Sequence, residues 1–122
     1  MWIENAKDHT YILYTPVSQE PGLQHELETI KEIVDNRDDC NVIISLADIE
    51  ILTSSTISKL LELHNSLTEH GRILILCKVC LPVKGIFRIT GLTSVFNFAD
   101  NMWVAQSMIQ KTSRYEPQHA AH

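Results

Sequence analysis

The sequence predicts an α/β domain with a largely parallel sheet. Two short runs, residues 42–46 and 73–76, are mainly aliphatic and read as buried strands. An amphipathic stretch over residues 57–70 lies between them and is long enough for a crossover helix. Strand-like and helix-like segments alternate after an opening pair of strands, giving the order β-β-α-β-α-β-α-β-α.

The opening pair is Trp2-Ile3 and residues 11–15, joined through polar residues. Pro16, Pro21 and Gly22 punctuate the segment after it. A first helix fits residues 22–36, because Leu23, Leu27, Ile30 and Val34 share one helical face. Residues 35–39 form a polar turn before the strand at 42–46. Residues 47–50 read as a connection, and Ile51-Leu52 as an apolar lead into the hydroxyl cluster Thr53-Ser54-Ser55-Thr56.

The second helix takes its apolar stripe from Ile57, Leu60, Leu61, His64 and Leu67, and Gly71 stops it. After the strand at 73–76, Pro82 suits the first turn of a third helix. Val83, Ile86, Phe87 and Ile89 give that helix its inner side, and Gly91 ends it. Residues 95–98 read as a short strand. Residues 101–110 read as a last helix, with Met102, Ala105 and Ile109 inward. The domain is expected over residues 1–111, with a polar, frayed tail over 112–122.

A chain of 122 residues supports one core, and 44% hydrophobic with 20% charged residues is the composition of a globular domain. The net charge of −5 argues against a nucleic-acid partner. No apolar run reaches membrane-spanning length, and the acidic start does not read as a secretory signal. Three cysteines, Cys40, Cys77 and Cys80, make no disulfide framework, so a cytoplasmic location is expected.

The residues most open to chemistry are the hydroxyls at the start of the second helix. The first N–H groups of a helix lack partners and the dipole is positive there, so the place suits an anion. Thr53, Ser54 or Ser55 could equally serve as a plain helix cap. The pair Cys77 and Cys80 could form a redox site between strand and helix, but no Trp flanks it and no Pro separates the cysteines, which favours two ordinary semi-buried residues. The six histidines form no metal signature, and no glycine-rich phosphate loop or catalytic triad can be assigned. The chain is therefore expected to be no enzyme and to carry no cofactor or metal.

The ordered set of residues resembles the STAS domain of anti-sigma factor antagonists and sulfate-transporter tails. The matching features are Ile51 to Thr56 at the turn, Leu60-Leu61-Glu62-Leu63 in the helix, and Gly91-Leu92 followed by Phe96. The resemblance implies a partner-switching, transcription-regulating phosphoprotein. Its implied partner is an anti-sigma factor that is also a serine kinase, with a phosphatase as a further partner and no membrane or nucleic acid. By position, Ser54 is the implied phosphorylated serine. Thr53, Ser54, Ser55, Thr56, Ser58 and Lys59 are the implied exposed partner-binding residues. Thr53 stands where the family usually has Asp, and Thr56 where it usually has Gly. A STAS-like scaffold that is never phosphorylated, binding constitutively or sensing a ligand, is the alternative expectation.

Overall fold

Side chains that alternate along the strands feed two separate apolar layers. Leu13, Val42, Ile44, Leu46, Leu74 and Leu76 belong to one core, and Ile12, Ile43, Ile75 and Cys77 to the other. Successive strand residues point to opposite faces, so a strand covered on both sides must be apolar throughout. In the computed structural model, which describes residues 2–5 and 10–120 and the side chains of 2–4 and 10–111, the third strand is buried along its whole length.

The elements are β1 (Trp2–Asn5), β2 (Thr10–Pro16), α1 (Leu23–Asp35), β3 (Cys40–Ser45), α2 (Ser54–Glu69), β4 (Leu74–Cys77), α3 (Leu81–Ile89), β5 (Asn97–Ala99) and α4 (Met102–Ala120). This is the order the sequence predicts. The sheet runs β1-β2-β3-β4-β5, with β1 antiparallel to β2 and every other pair parallel. Val42 sits opposite Leu74 and Ile43 opposite Ile75, so the two aliphatic runs are the neighbouring parallel strands expected.

Each crossover steps one strand in the same direction. Crossovers of one hand then place their helices on one face. Accordingly α1, α2 and α3 supply Leu23, Leu27, Ile30, Val34, Leu60, Leu63, Leu67, Val83 and Phe87 to the first core. Helix α4 comes after the last strand and covers the other face with Ala105 and Ile109.

Beyond its ladder with β2, the edge strand β1 has a side-chain contact to Arg37. The Arg37 guanidinium lies 4.7 Å from the Trp2 ring and 4.9 Å from the Tyr11 ring, while Nε and Nη2 donate to Asp39 at 2.9 and 3.0 Å. Gly71 and Gly91 adopt φ of 71° and 74° just past α2 and α3. There the N–H groups of Arg72 and Leu92 close back on Leu67 and Phe87 at 2.7 and 2.8 Å, which requires the left-handed backbone that glycine tolerates.

Several expectations change. Helix α2 begins at Ser54 and turns Thr56, Leu60, Leu63 and Leu67 into the core, so Leu63 replaces Leu61, which is only half-buried. The expected stripe is rotated because the helix starts three residues before Ile57, at its hydroxyl cap. His64 is half-buried on the edge of that stripe, its ring 5.6 Å from Phe96. Ile89, expected inward, is 87% exposed because α3 ends there and its core face is met by Val83 and Phe87. The short strand is Asn97–Ala99, two residues later than expected at its start, and Phe96 before it is buried. The backbone of α4 continues past Gln110 to Ala120. Of the tail expected to fray over 112–122, the backbone is helical to Ala120, and residues 121–122 lie outside the described residues.

Candidate functional site at the start of helix α2

The turn between β3 and α2 lies at the carboxyl ends of the parallel strands, where loops of α/β sheets gather functional groups. Thr53 is the cap. Its backbone is extended, with φ −93° and ψ 163°, and its Oγ1 accepts from the Thr56 N–H at 3.2 Å. The Thr53 carbonyl accepts the first helical bond, from the Ile57 N–H at 3.0 Å. A threonine hydroxyl thus satisfies a helix-start donor at the position where the resembling family usually has Asp.

Thr56 corrects an expectation. It is 1% exposed and forms no part of the surface. Its hydroxyl donates to Glu20 Oε1 at 3.0 Å and lies 3.2 Å from Thr53 Oγ1. Each hydroxyl carries one proton. With the Thr56 proton on Glu20, the Thr53 hydroxyl donates to Thr56. The result is a relay from Thr53 through Thr56 to Glu20. Glu20 Oε1 also accepts from Gln24 Nε2 at 3.3 Å.

A second brace comes from Gln19. Its Oε1 accepts from the N–H groups of Glu50 and Ile51 at 2.8 and 3.4 Å, and its Nε2 donates to the Ile51 carbonyl at 3.0 Å. A third links the next loop: Cys80 Sγ donates to the Ile49 carbonyl at 3.4 Å. These contacts span 31 to 36 residues, so the turn is anchored to two neighbouring loops. No pattern of hydrophobicity points to Gln19 or Glu20. Their position in the Pro-flanked segment before α1 is the only trace they leave in the sequence.

On this fixed turn the side chains of Thr53, Ser54, Ser55 and Ser58 are exposed. Ser54 is the first residue of α2. Ile51 is 65% exposed, although the sequence reads it as a lead into the turn. Leu81, next to the Cys80 that contacts Ile49, is 79% exposed. Each of the two linked loops therefore carries one exposed apolar residue. Lys59 is not a free cation. Its Nζ lies 2.9 Å from Glu28 and 4.0 Å from Glu62. The hydrogen bond to Glu28 raises the Lys59 pKa, and the same bond lowers that of Glu28.

The paired-thiol idea fails on geometry. Cys77 is fully buried in the core beneath α4, whereas Cys80 caps α3 and packs against the core on the opposite face. Burial pushes the Cys77 thiol pKa up, which disfavours the reactive thiolate. Among the described residues no group of His, Cys, Asp and Glu is arranged to hold a metal, and no helix is long and apolar enough to cross a membrane.

Comparison with known proteins bears on this geometry. The family model of the STAS domain matches residues 24–105. No curated protein matches the chain by sequence. Among solved structures, an anti-sigma-factor antagonist (STAS) domain protein from Planctomyces limnophilus is 16% identical, with a TM-score of 0.68 over 93% of this chain and 97% of that one. A sulfate transporter family protein from Wolinella succinogenes is 14% identical, with a TM-score of 0.72 over 84% and 88%. RsbS from Moorella thermoacetica is 13% identical, with a TM-score of 0.70 over 93% and 97%. At these identities the likeness concerns the fold.

Proposed function

The chain belongs to the STAS domain family, and from that premise we propose that it is a non-enzymatic interaction domain of the anti-sigma factor antagonist kind. It docks on an anti-sigma factor through the start of α2 and is released when Ser54 is phosphorylated. The carrying observation is the exposure of Ser54 at the first position of α2, on a turn braced by Gln19, Glu20 and Thr53. The docking face comprises Ile51, Thr53, Ser54, Ser55 and Ser58.

The chemistry of the switch is electrostatic. An exposed serine at a helix start offers its hydroxyl to a kinase without local unfolding. A phosphate adds about −1.5 to −2 charges at neutral pH. The positive helix end tolerates that charge within the domain. Against an apolar partner surface seated on Ile51, the same charge would have to be desolvated, and binding is lost. The anti-sigma factor is the expected kinase, a phosphatase restores the free form, and the cytoplasm is the expected location.

The test is a titration of an anti-sigma factor kinase from the same genome against wild type, Ser54→Ala and Ser54→Asp, with intact mass after incubation with ATP. The expected result is one added phosphate on wild type, none on Ser54→Ala, tight binding by both, and weak binding by Ser54→Asp. Equal binding by all three without modification would replace the switch with a constitutive scaffold.

A further inference from the structure

We propose that the groove between α3 and β5 is a binding site for a small amphipathic anion, an aromatic or aliphatic body carrying a carboxylate or phosphate. The groove has a volume of about 210 Å³ and is lined by Lys84, Phe87, Arg88, Thr93 and Phe98. None of these belongs to the α2 docking face, so the inference stands apart from the Ser54 switch.

The two ends of the ligand are read from two kinds of wall. Phe87 and Phe98 form an aromatic floor, their rings edge to face at 5.3 Å. Phe98 keeps part of its surface open although it packs on the core. An apolar body laid there would cover that surface. Lys84 and Arg88 stand one helical turn apart on α3, and both are exposed. Neither takes part in an ion pair among the described residues. In a chain of net charge −5, two cations one helical turn apart over a lining without a carboxylate make a locally positive patch. The Thr93 hydroxyl adds a donor. The position of Arg88 in the last turn of α3 suits the helix dipole, but that accounts neither for Lys84 nor for the open part of Phe98.

A smaller groove of about 130 Å³ adjoins it, sharing Lys84 and Phe98 and adding Lys78, Val79, Ala99 and Asp100. It opens at the carboxyl ends of β4 and β5, a usual location for ligands of α/β sheets. Lys78 has φ 56°, a left-handed conformation that costs energy for a residue with a side chain and is often kept where a ligand is gripped. Asp100 stands at this end. Arg88 lines only the larger groove, so the anionic head sits toward Arg88, with Lys84 between it and the Asp100 end.

The experiment titrates phenyl phosphate into the isotope-labelled full chain and tracks backbone amide shifts. Saturable shifts grouped on Lys84 to Thr93 and on Phe98 are expected. Inorganic phosphate and benzyl alcohol, each carrying one half of the ligand, should bind at least about tenfold more weakly. The double variant Lys84→Gln, Arg88→Gln should weaken phenyl phosphate by about tenfold or more while leaving the melting curve in place, since both side chains are exposed and unpaired. Shifts scattered over the surface, equal affinity for inorganic phosphate, or unchanged affinity in the double variant would overturn the site.

Discussion

The side-chain amide of Gln19 holds the backbone of Ile51 from both sides, donating to its carbonyl at 3.0 Å and accepting from its N–H at 3.4 Å. The same oxygen accepts from Glu50 at 2.8 Å. The turn that leads to Ser54 is thereby fastened to the loop before α1, and an exposed Ile51 is presented in one place. A docking surface that does not have to order itself loses less entropy on binding.

Gln19→Leu should release that turn. Each hydrogen bond contributes about 0.5–1.5 kcal/mol, so exchange of the Glu50 and Ile51 amides should speed up by roughly threefold to tenfold or more. Amides in the middle of β3 should exchange as before. Hydrogen exchange read residue by residue checks this, and unchanged rates at Glu50 and Ile51 would remove Gln19 from the account.

Leu63→Ala should cost about 2–5 kcal/mol in a denaturant melt, because Leu63 is fully buried beneath α2. Leu61→Ala should cost clearly less, since that side chain keeps contact with solvent. Equal losses would mean that the face of α2 is misplaced.

The thiols should separate by reactivity. Cys40 and Cys77 are buried, and desolvation raises both their pKa values. Cys80 is partly open. A thiol reagent under native conditions should label Cys80 first, with the other two reacting only on unfolding. Rapid native labelling of Cys77 would contradict its burial, and formation of a Cys77–Cys80 disulfide without unfolding would contradict their placement on opposite faces.

The strands and the first helix were legible because burial on one or both faces imposes a period that the residue types reveal. Leu23, Leu27, Ile30 and Val34 face inward as their spacing predicts. In α2 two stripes, one through Leu61 and one through Leu63, fit nearly as well, and the choice depends on where the helix starts. The Thr53 cap decides it, by bonding the Thr56 N–H and turning Thr56 inward. The braces at Gln19 and Glu20 were not legible, since a polar side chain reaching across more than thirty residues leaves no local pattern. The groove at Lys84 and Arg88 was hidden for a related reason. Charges four residues apart on a helix read as a solvated face until the aromatic floor beside them is seen.

Acid should weaken the ion pairs at the ends of α1 and β3. The hydrogen bond from Lys31 lowers the Asp35 pKa, and that from Arg37 lowers the Asp39 pKa. A carboxylate whose folded pKa lies below its unfolded value stabilises the fold above the unfolded value. That contribution is lost as pH falls through the folded one. Both pairs are open to solvent on at least one side, so each effect is small. Asp39→Asn should therefore lower the melting temperature slightly at neutral pH, and the gap should close below the carboxylate range. A gap that widens in acid would reverse the assignment.

The cap and the switch should come apart when neighbouring hydroxyls are changed. Thr53→Ala removes the acceptor for the Thr56 N–H and breaks the relay to Glu20. Loss of a helix cap costs about 0.5–2 kcal/mol, so this variant should melt earlier. Ser54→Asp leaves Thr53 in place and puts a negative charge at the positive end of α2, which favours the helix by about 0.3–1 kcal/mol. Its melting temperature should hold or rise slightly. If the docking face lies here, Ser54→Asp should nonetheless bind the anti-sigma factor more weakly than Thr53→Ala does, so that the more stable variant is the poorer binder. That inversion separates an effect at the interface from an effect on folding. Melting curves and a binding titration on both variants measure it, and a binding order that merely tracks stability would place the contact surface elsewhere on the domain.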